Sequence, residues 1–143
     1  MALLSENDRQ AVRGHLANLT HRVTLLFFTQ TIAGPETAQI AKQILSELAG
    51  LSDKITIEEV NFILERDRAA TYGVDKIPAI VVMKDGGDTR MRFFGAPSGY
   101  EFMSLIEAII IAGGDDSGLK PESKELIAGV TKPIDLQVFV TPT

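Results

Sequence analysis

Ala33-Gly34-Pro35-Glu36 is the stretch whose residue types and spacing speak most directly about chemistry. It separates an apolar run from an amphipathic segment, so it reads as the corner between a strand and a helix N-terminus. Such a terminus favours negative charge and lowers the pKa of a thiol placed on it. The outer positions here hold Ala33 and Glu36. Alanine has no nucleophile, and a carboxylate can neither form nor resolve a disulfide. Glu36 has two readings: favourable charge at a helix start, or an acid at the rim of a peptide groove.

Other candidate groups carry less. His15 and His21 are the only histidines, six residues apart, and cannot complete a zinc site by themselves. No metal site and no cofactor is expected. Glu58-Glu59 fall on a predicted strand and point to opposite faces, which rules out a catalytic carboxylate pair. Gly113-Gly114 precede Asp115-Asp116, whose charges would repel phosphate.

The 143 residues amount to one domain, long enough to bury a core without staples. The absence of cysteine excludes disulfides, thiolate ligands and a cysteine nucleophile. A net charge of −5 with interspersed signs argues against nucleic acid or an anionic membrane as partner. The longest apolar run, Leu105 to Ala112, contains Glu107 and is far short of the roughly 18 residues a membrane span needs. Met1 to Glu6 has no basic stretch and turns acidic at once, so a cytoplasmic setting is expected.

The elements that must position the corner follow from periodicity. Residues 5–19 predict a helix, with Ser5 and Asp8 as a capping pair and Val12, Leu16 and Leu19 as its stripe. Val23 to Phe28 reads as a central strand covered on both faces. Residues 35–49 predict a helix with Ala41, Ile44, Leu45 and Leu48 inside, ended by Gly50 as the residue beyond the cap. Ile55 to Phe62 predicts a strand whose alternation slips between Ile57 and Val60, as at a bulge. A short helix over 65–72 stops at Gly73. Residues 79–83 and 90–94 read as two strands joined by a hairpin turn at Asp85-Gly86-Gly87-Asp88. Ser98 to Glu101 reads as a capping box opening the last long helix. Beyond lie a linker over 113–120, a helix over 121–128 and an alternating run, Ile134 to Val140, that reads as a strand.

The order, a β-α-β unit followed by β-β-α with an extra helix in front, resembles the thioredoxin-like superfamily. Ala33-Gly34-Pro35-Glu36 falls where such proteins place Cys-x-x-Cys, and Gly34-Pro35 is the middle pair that thioredoxins use. Tyr72-Gly73-Val74 and Ile77-Pro78-Ala79 have the form of the family's cis-proline segment, and Phe94-Gly95 ends the last strand of the unit. The resemblance implies an α/β fold: a mixed four-stranded sheet flanked by helices, plus an additional C-terminal helix and strand. In active relatives the backbone beside the proline pairs with an extended peptide. Gly34, Pro35, Ile77 and Pro78 would line that groove here, unless Pro78 only serves its turn.

The leading helix, Leu51 to Ile55, and Arg92 to Phe102 are similar to two groups. One is the tandem glutaredoxin-like protein disulfide oxidoreductases. The other is the N-terminal double-thioredoxin region of the alkyl hydroperoxide reductase flavoprotein, whose first fold lacks cysteines. Val23 to Phe28 can be laid on Ile134 to Phe139, and Ala33 comes eight residues after Leu25. The matching position after Leu136 lies one past Thr143.

The expectation is therefore a thioredoxin-like domain over 1–112, a linker over 113–120, and the start of a second such fold over 121–143. The domain would be redox-inactive, with no catalytic residue, and would support a second fold or a protein partner. Its setting would be thiol redox homeostasis. Alternatives are a fragment of an active disulfide oxidoreductase whose Cys-x-x-Cys follows Thr143, and a free-standing binding module. Pairing of two copies through residues 134–140 is a further expectation.

Overall fold

The structure, a computed structural model, describes residues 2–141. In chain order it contains α1 (Glu6–Leu16), β1 (Val23–Thr29), α2 (Glu36–Ala49), β2 (Ile55–Asn61), α3 (Arg66–Thr71), β3 (Ala79–Lys84), β4 (Gly87–Phe94), α4 (Tyr100–Gly113) and α5 (Pro121–Ala128). The sheet order is β2-β1-β3-β4. β1 pairs in parallel with β2 and antiparallel with β3, and β3 is antiparallel to β4.

β1 carries large apolar side chains on both faces, Leu25 to Phe28 in an unbroken run, because both faces are covered. Val23, Leu25 and Phe27 face α1, α2 and α4, packing with Leu16, Leu45, Leu48 and Ile106. Leu26 and Phe28 face the other way, toward Ala69 of α3 and the 72–77 loop. β3 divides likewise, with Ile80 and Val82 on the first face and Val81 and Met83 on the second. Each large side chain buried in this way contributes about 1.5–3 kcal/mol.

Several local expectations change. α1 ends at Leu16, and Leu19 joins the core from the turn beyond it. Gly50 is itself the C-cap of α2, with a right-handed φ of −71°, so no left-handed residue is used. The slip in β2 is not a bulge, since its register with β1 is unbroken from Ile55 to Asn61. Ile55 and Ile57 pack on one face and Val60 on the other, because β2 is an edge strand that serves both layers. The irregularity lies instead in β4, where the pairing with β3 shifts between Val81 and Met83 and Arg90 takes a φ of +67°. Asp88 holds this kink: it accepts from the Arg90 N–H at 2.7 Å and from both Arg92 Nη atoms at 2.8 and 2.7 Å. The capping box at Ser98 is not formed. α4 opens on Gly99, whose φ of +61° suits glycine, and no side chain caps it.

The turn between β3 and β4 is tighter than four residues. Lys84 pairs with Gly87, and Asp85 and Gly86 both have positive φ, as two-residue hairpins require. After α4 the chain does not leave the domain at once. The Gly113 carbonyl accepts from the Thr20 N–H at 2.8 Å, the His21 N–H at 3.0 Å and the Thr20 hydroxyl at 3.2 Å. A side chain at Gly113 would meet Leu19 at 2.6 Å, so glycine permits this approach.

α5 forms, but none of its residues is buried. The expected strand over 134–140 joins no ladder among the described residues. Its apolar side chains are exposed, Leu136 at 86% and Phe139 at 90%. Alternation says which face a strand would bury, but a ladder also needs a neighbouring strand with free N–H and C=O groups.

Candidate functional site

The corner that follows β1 is built by close backbone approach. A Cβ on Gly34 would lie 2.5 Å from the Gln30 carbonyl oxygen, so only glycine fits there. Gln30 folds over the loop, its Nε2 donating to the carbonyls of Ile32 at 3.0 Å and Ala33 at 3.1 Å. Ala33 sits in the left-handed region with φ +54°. Pro35 is the N-cap of α2 and Glu36 its first residue, and no side chain caps the helix.

This placement separates the two degenerate positions. Glu36 lies in the first turn of α2, whereas Ala33 is two residues ahead of the N-cap. The field of a helix terminus fades beyond its end turn. Single-cysteine variants therefore should differ. In Glu36→Cys the thiol is expected at about 7.5 or below, and in Ala33→Cys near the ordinary value of about 8.5. Iodoacetamide alkylation rates against pH measure both; equal midpoints would show that Ala33 shares the helix field after all.

The second corner precedes β3. The Ile77–Pro78 peptide bond is cis, Pro78 is buried, and its carbonyl accepts from the Gly95 N–H at 2.8 Å. Ile77 is half-buried against the cluster that contains Phe28 and Val74. Phe28 of β1 is the register partner of Ala79 of β3. The chain leaves β1 and enters β3 at the same end of the sheet, so Gly34-Pro35 and Ile77-Pro78 share that end. Ala33, Gly34, Pro35 and Glu36 therefore lie in the connection after β1, and Ile77 and Pro78 in the one before β3, at one end of the sheet.

Sequence reasoning missed an apolar rim at this end. Ile32 follows β1, Ile63 and Leu64 follow β2, Phe94 closes β4 and Tyr100 opens α4, and all five are exposed. Asn61 presents two of them, its Oδ1 accepting from the N–H groups of Ile63 and Leu64 at 3.0 Å each. Lys76 extends its ammonium over the Phe94 ring, 5.3 Å from the centroid. These residues lie in four separate segments, and no local pattern joins them. Between β1 and β2 the same end carries a polar recess lined by Thr29, Thr31, Glu59, Asn61 and Glu65.

The remaining candidates disperse. Glu58 pairs with Arg68 and Glu59 with Lys42, on opposite faces of β2. His15 is exposed on α1, and His21 stands at the far end of the sheet between Asp85 and Asp115. Among the described residues no group of three or more His, Cys, Asp or Glu side chains could hold a metal ion. No helix there is long and apolar enough to cross a membrane.

No family model matches the chain. Among curated proteins it is similar to the alkyl hydroperoxide reductase AhpF of Escherichia coli, with 32% identity over 115 residues, 80% of this chain. The chain spans only about 20% of that protein's length. Among solved structures it superposes on the NTD_N/C domain of alkylhydroperoxide reductase AhpF from Enterococcus faecalis with a TM-score of 0.83 at 32% identity. That match covers 90% of this chain and 62% of the other. A protein disulfide oxidoreductase from Aeropyrum pernix K1 matches with a TM-score of 0.76 at 24% identity, over 90% of this chain and 56% of the other, and shows the fold alone.

Proposed function

We propose, for a chain that has the thioredoxin-like fold and is similar to the N-terminal region of alkyl hydroperoxide reductase AhpF, that it is a redox-inactive module. Its role is to support, or to present a surface to, a second thioredoxin-like fold that bears the cysteines. The observation that carries this reading is the pair Ala33 and Glu36, set in a corner whose Gly34-Pro35 and Ile77-Pro78 frame is complete. In this proposal residues 1–112 form the module, 113–120 the passage, and 121–143 the opening of the second fold. The exposed apolar residues of α5 and the 134–140 segment, Leu126, Leu136 and Phe139 among them, support it by lacking a core of their own. The setting proposed is thiol redox homeostasis in the cytoplasm.

In an insulin-reduction assay with dithiothreitol, the chain is expected to give turbidity no faster than buffer alone. Clear turnover would overturn the redox-inactive reading. A larger protein containing this chain could still be an active disulfide oxidoreductase or reductase component, through a Cys-x-x-Cys beyond Thr143. That reading draws on the 62% coverage of the AhpF domain. The apolar rim of Ile32, Leu64, Phe94 and Tyr100 favours partner binding at the corner end over a purely internal scaffold role. Pairing of two copies through 134–140 is the competing use of the exposed segment, and sedimentation of the chain with and without residues 132–143 separates the two.

A further inference from the structure

Three parts of the chain meet at the end of the sheet opposite the corner. They are the turn between α1 and β1, the hairpin turn between β3 and β4, and the passage that leaves α4. His21 stands between them. Its Nδ1 lies 2.6 Å from Asp85 Oδ2 and its Nε2 lies 2.7 Å from Asp115 Oδ1. The two carboxylates are on opposite sides of one ring, so they cannot converge with it on a single metal ion.

A neutral imidazole carries one N–H and offers a lone pair at the other nitrogen. Only the imidazolium can donate to both carboxylates. A neutral ring would set its lone pair against a carboxylate oxygen at one of these two contacts.

The contacts are unequal in what they restrain. Asp85 is held independently of the ring: its Oδ1 accepts from the Arg22 N–H at 3.0 Å, and its own N–H donates to the Arg22 carbonyl at 2.9 Å. Asp115 is held mainly by the ring. Its other neighbours are the Thr20 hydroxyl at 3.4 Å and the Lys84 ammonium at 3.8 Å. Lys84 also donates to the Gly114 carbonyl at 3.2 Å. A long ion pair between exposed groups restrains little. The next residue, Asp116, accepts from Lys124 of α5 at 2.7 Å. No residue of α5 is buried, and the Lys124–Asp116 contact ties it to the passage that Asp115 joins to the domain.

We propose that His21 is a pH-governed clasp: as the imidazolium it fixes the passage between α4 and α5 against the domain, and on losing its proton it releases that passage beyond Gly114. The direction follows from the neighbours. Hydrogen bonds to Asp115 and then Asp85 raise the His21 pKa above its ordinary value, against desolvation and the nearby Lys84 charge. A group raised in this way stabilises the closed form fully below its ordinary pKa, and the stabilisation is lost as pH rises through the shifted value. The clasp is therefore closed in mild acid and open in mild alkali.

Backbone 15N relaxation on the chain tests this. At pH 5.5 the order parameters of residues 115–119 should be near about 0.85, and at pH 9 they should fall below about 0.6. The His21 ring resonances should titrate above the usual histidine range. His21→Gln should leave the passage loose at both pH values. Asp115→Asn keeps the ring and its Asp85 contact, so it should loosen the passage at pH 5.5 and bring the ring pKa back toward its ordinary value. Amide shifts of β1 report folding in each variant. Order parameters that ignore pH while the ring titrates, or the same pH-dependent fall in His21→Gln, would overturn the proposal.

Discussion

Phe27→Ala should lower the unfolding free energy by about 3–5 kcal/mol. Phe27 is 1% exposed, near the middle of the central strand, on the face that α1, α2 and α4 share. It belongs to the buried cluster that those helices share with the sheet, so its removal opens a cavity that only a concerted shift of the cluster could close. A small domain has only about 5–15 kcal/mol to lose, so the variant should sit near its threshold. Phe27→Leu, which keeps most of the volume, should cost less than about 1.5 kcal/mol. Urea unfolding with an unchanged slope measures both. A loss below about 1 kcal/mol for Phe27→Ala would mean that β1 does not anchor the core.

The second large effect concerns Arg92, which joins three features of the sheet's other face. Its Nε donates to the Tyr72 carbonyl at 3.0 Å, its guanidinium lies 5.9 Å from the Tyr72 ring centroid, and its two Nη atoms grip Asp88. The hydrogen bonds from Arg92 hold the Asp88 carboxyl below its ordinary range, against the cost of burial. Arg92→Met should cost about 1–3 kcal/mol at pH 7, because it strands the Tyr72 carbonyl and leaves Asp88 with only the Arg90 N–H. The pH dependence has a definite sign. A carboxyl lowered in the folded state contributes stability above its unfolded value of about 3.9, and that stability is lost as pH falls through the folded value. The gap between wild type and variant should therefore narrow on acidification below about pH 4. A gap that stays constant or widens there would show that the ion pair contributes nothing.

Much of the fold was legible because it is written locally. The apolar run from Leu25 to Phe28, the hairpin turn at Asp85-Gly86 and the stripe of α2 each follow from residues within one or two turns of one another. The two corners were legible for the same reason, since Gly34-Pro35 and Ile77-Pro78 are short signals at element boundaries. What stayed hidden depends on partners distant in sequence. Val60 breaks the alternation of β2 only because α3 covers the other face. Ser98 matches a cap, yet the chain turns into α4 one residue later, on Gly99. His21 reads as a surface residue until Asp85, 64 positions on, and Asp115, 94 positions on, are folded against it. The apolar rim has the same cause, four segments that become neighbours only when β1 to β4 align. Residues 134–140 show the converse: a strand's pattern is present, and no ladder receives it.

The carbonyl of Gly113, which accepts three hydrogen bonds from Thr20 and His21, also provides one route by which mechanical load enters the fold. Tension on anything attached beyond residue 115 reaches this oxygen before it reaches the rest of α4. From there it passes to residues 20 and 21, and so to the first residues of β1. That strand is the one held by parallel and antiparallel ladders on its two sides. A pull along it must shear two sets of hydrogen bonds together, where a pull on β2 or β4 would work against one. A load that follows these hydrogen bonds therefore enters the sheet at a strand paired on both sides and not at an edge.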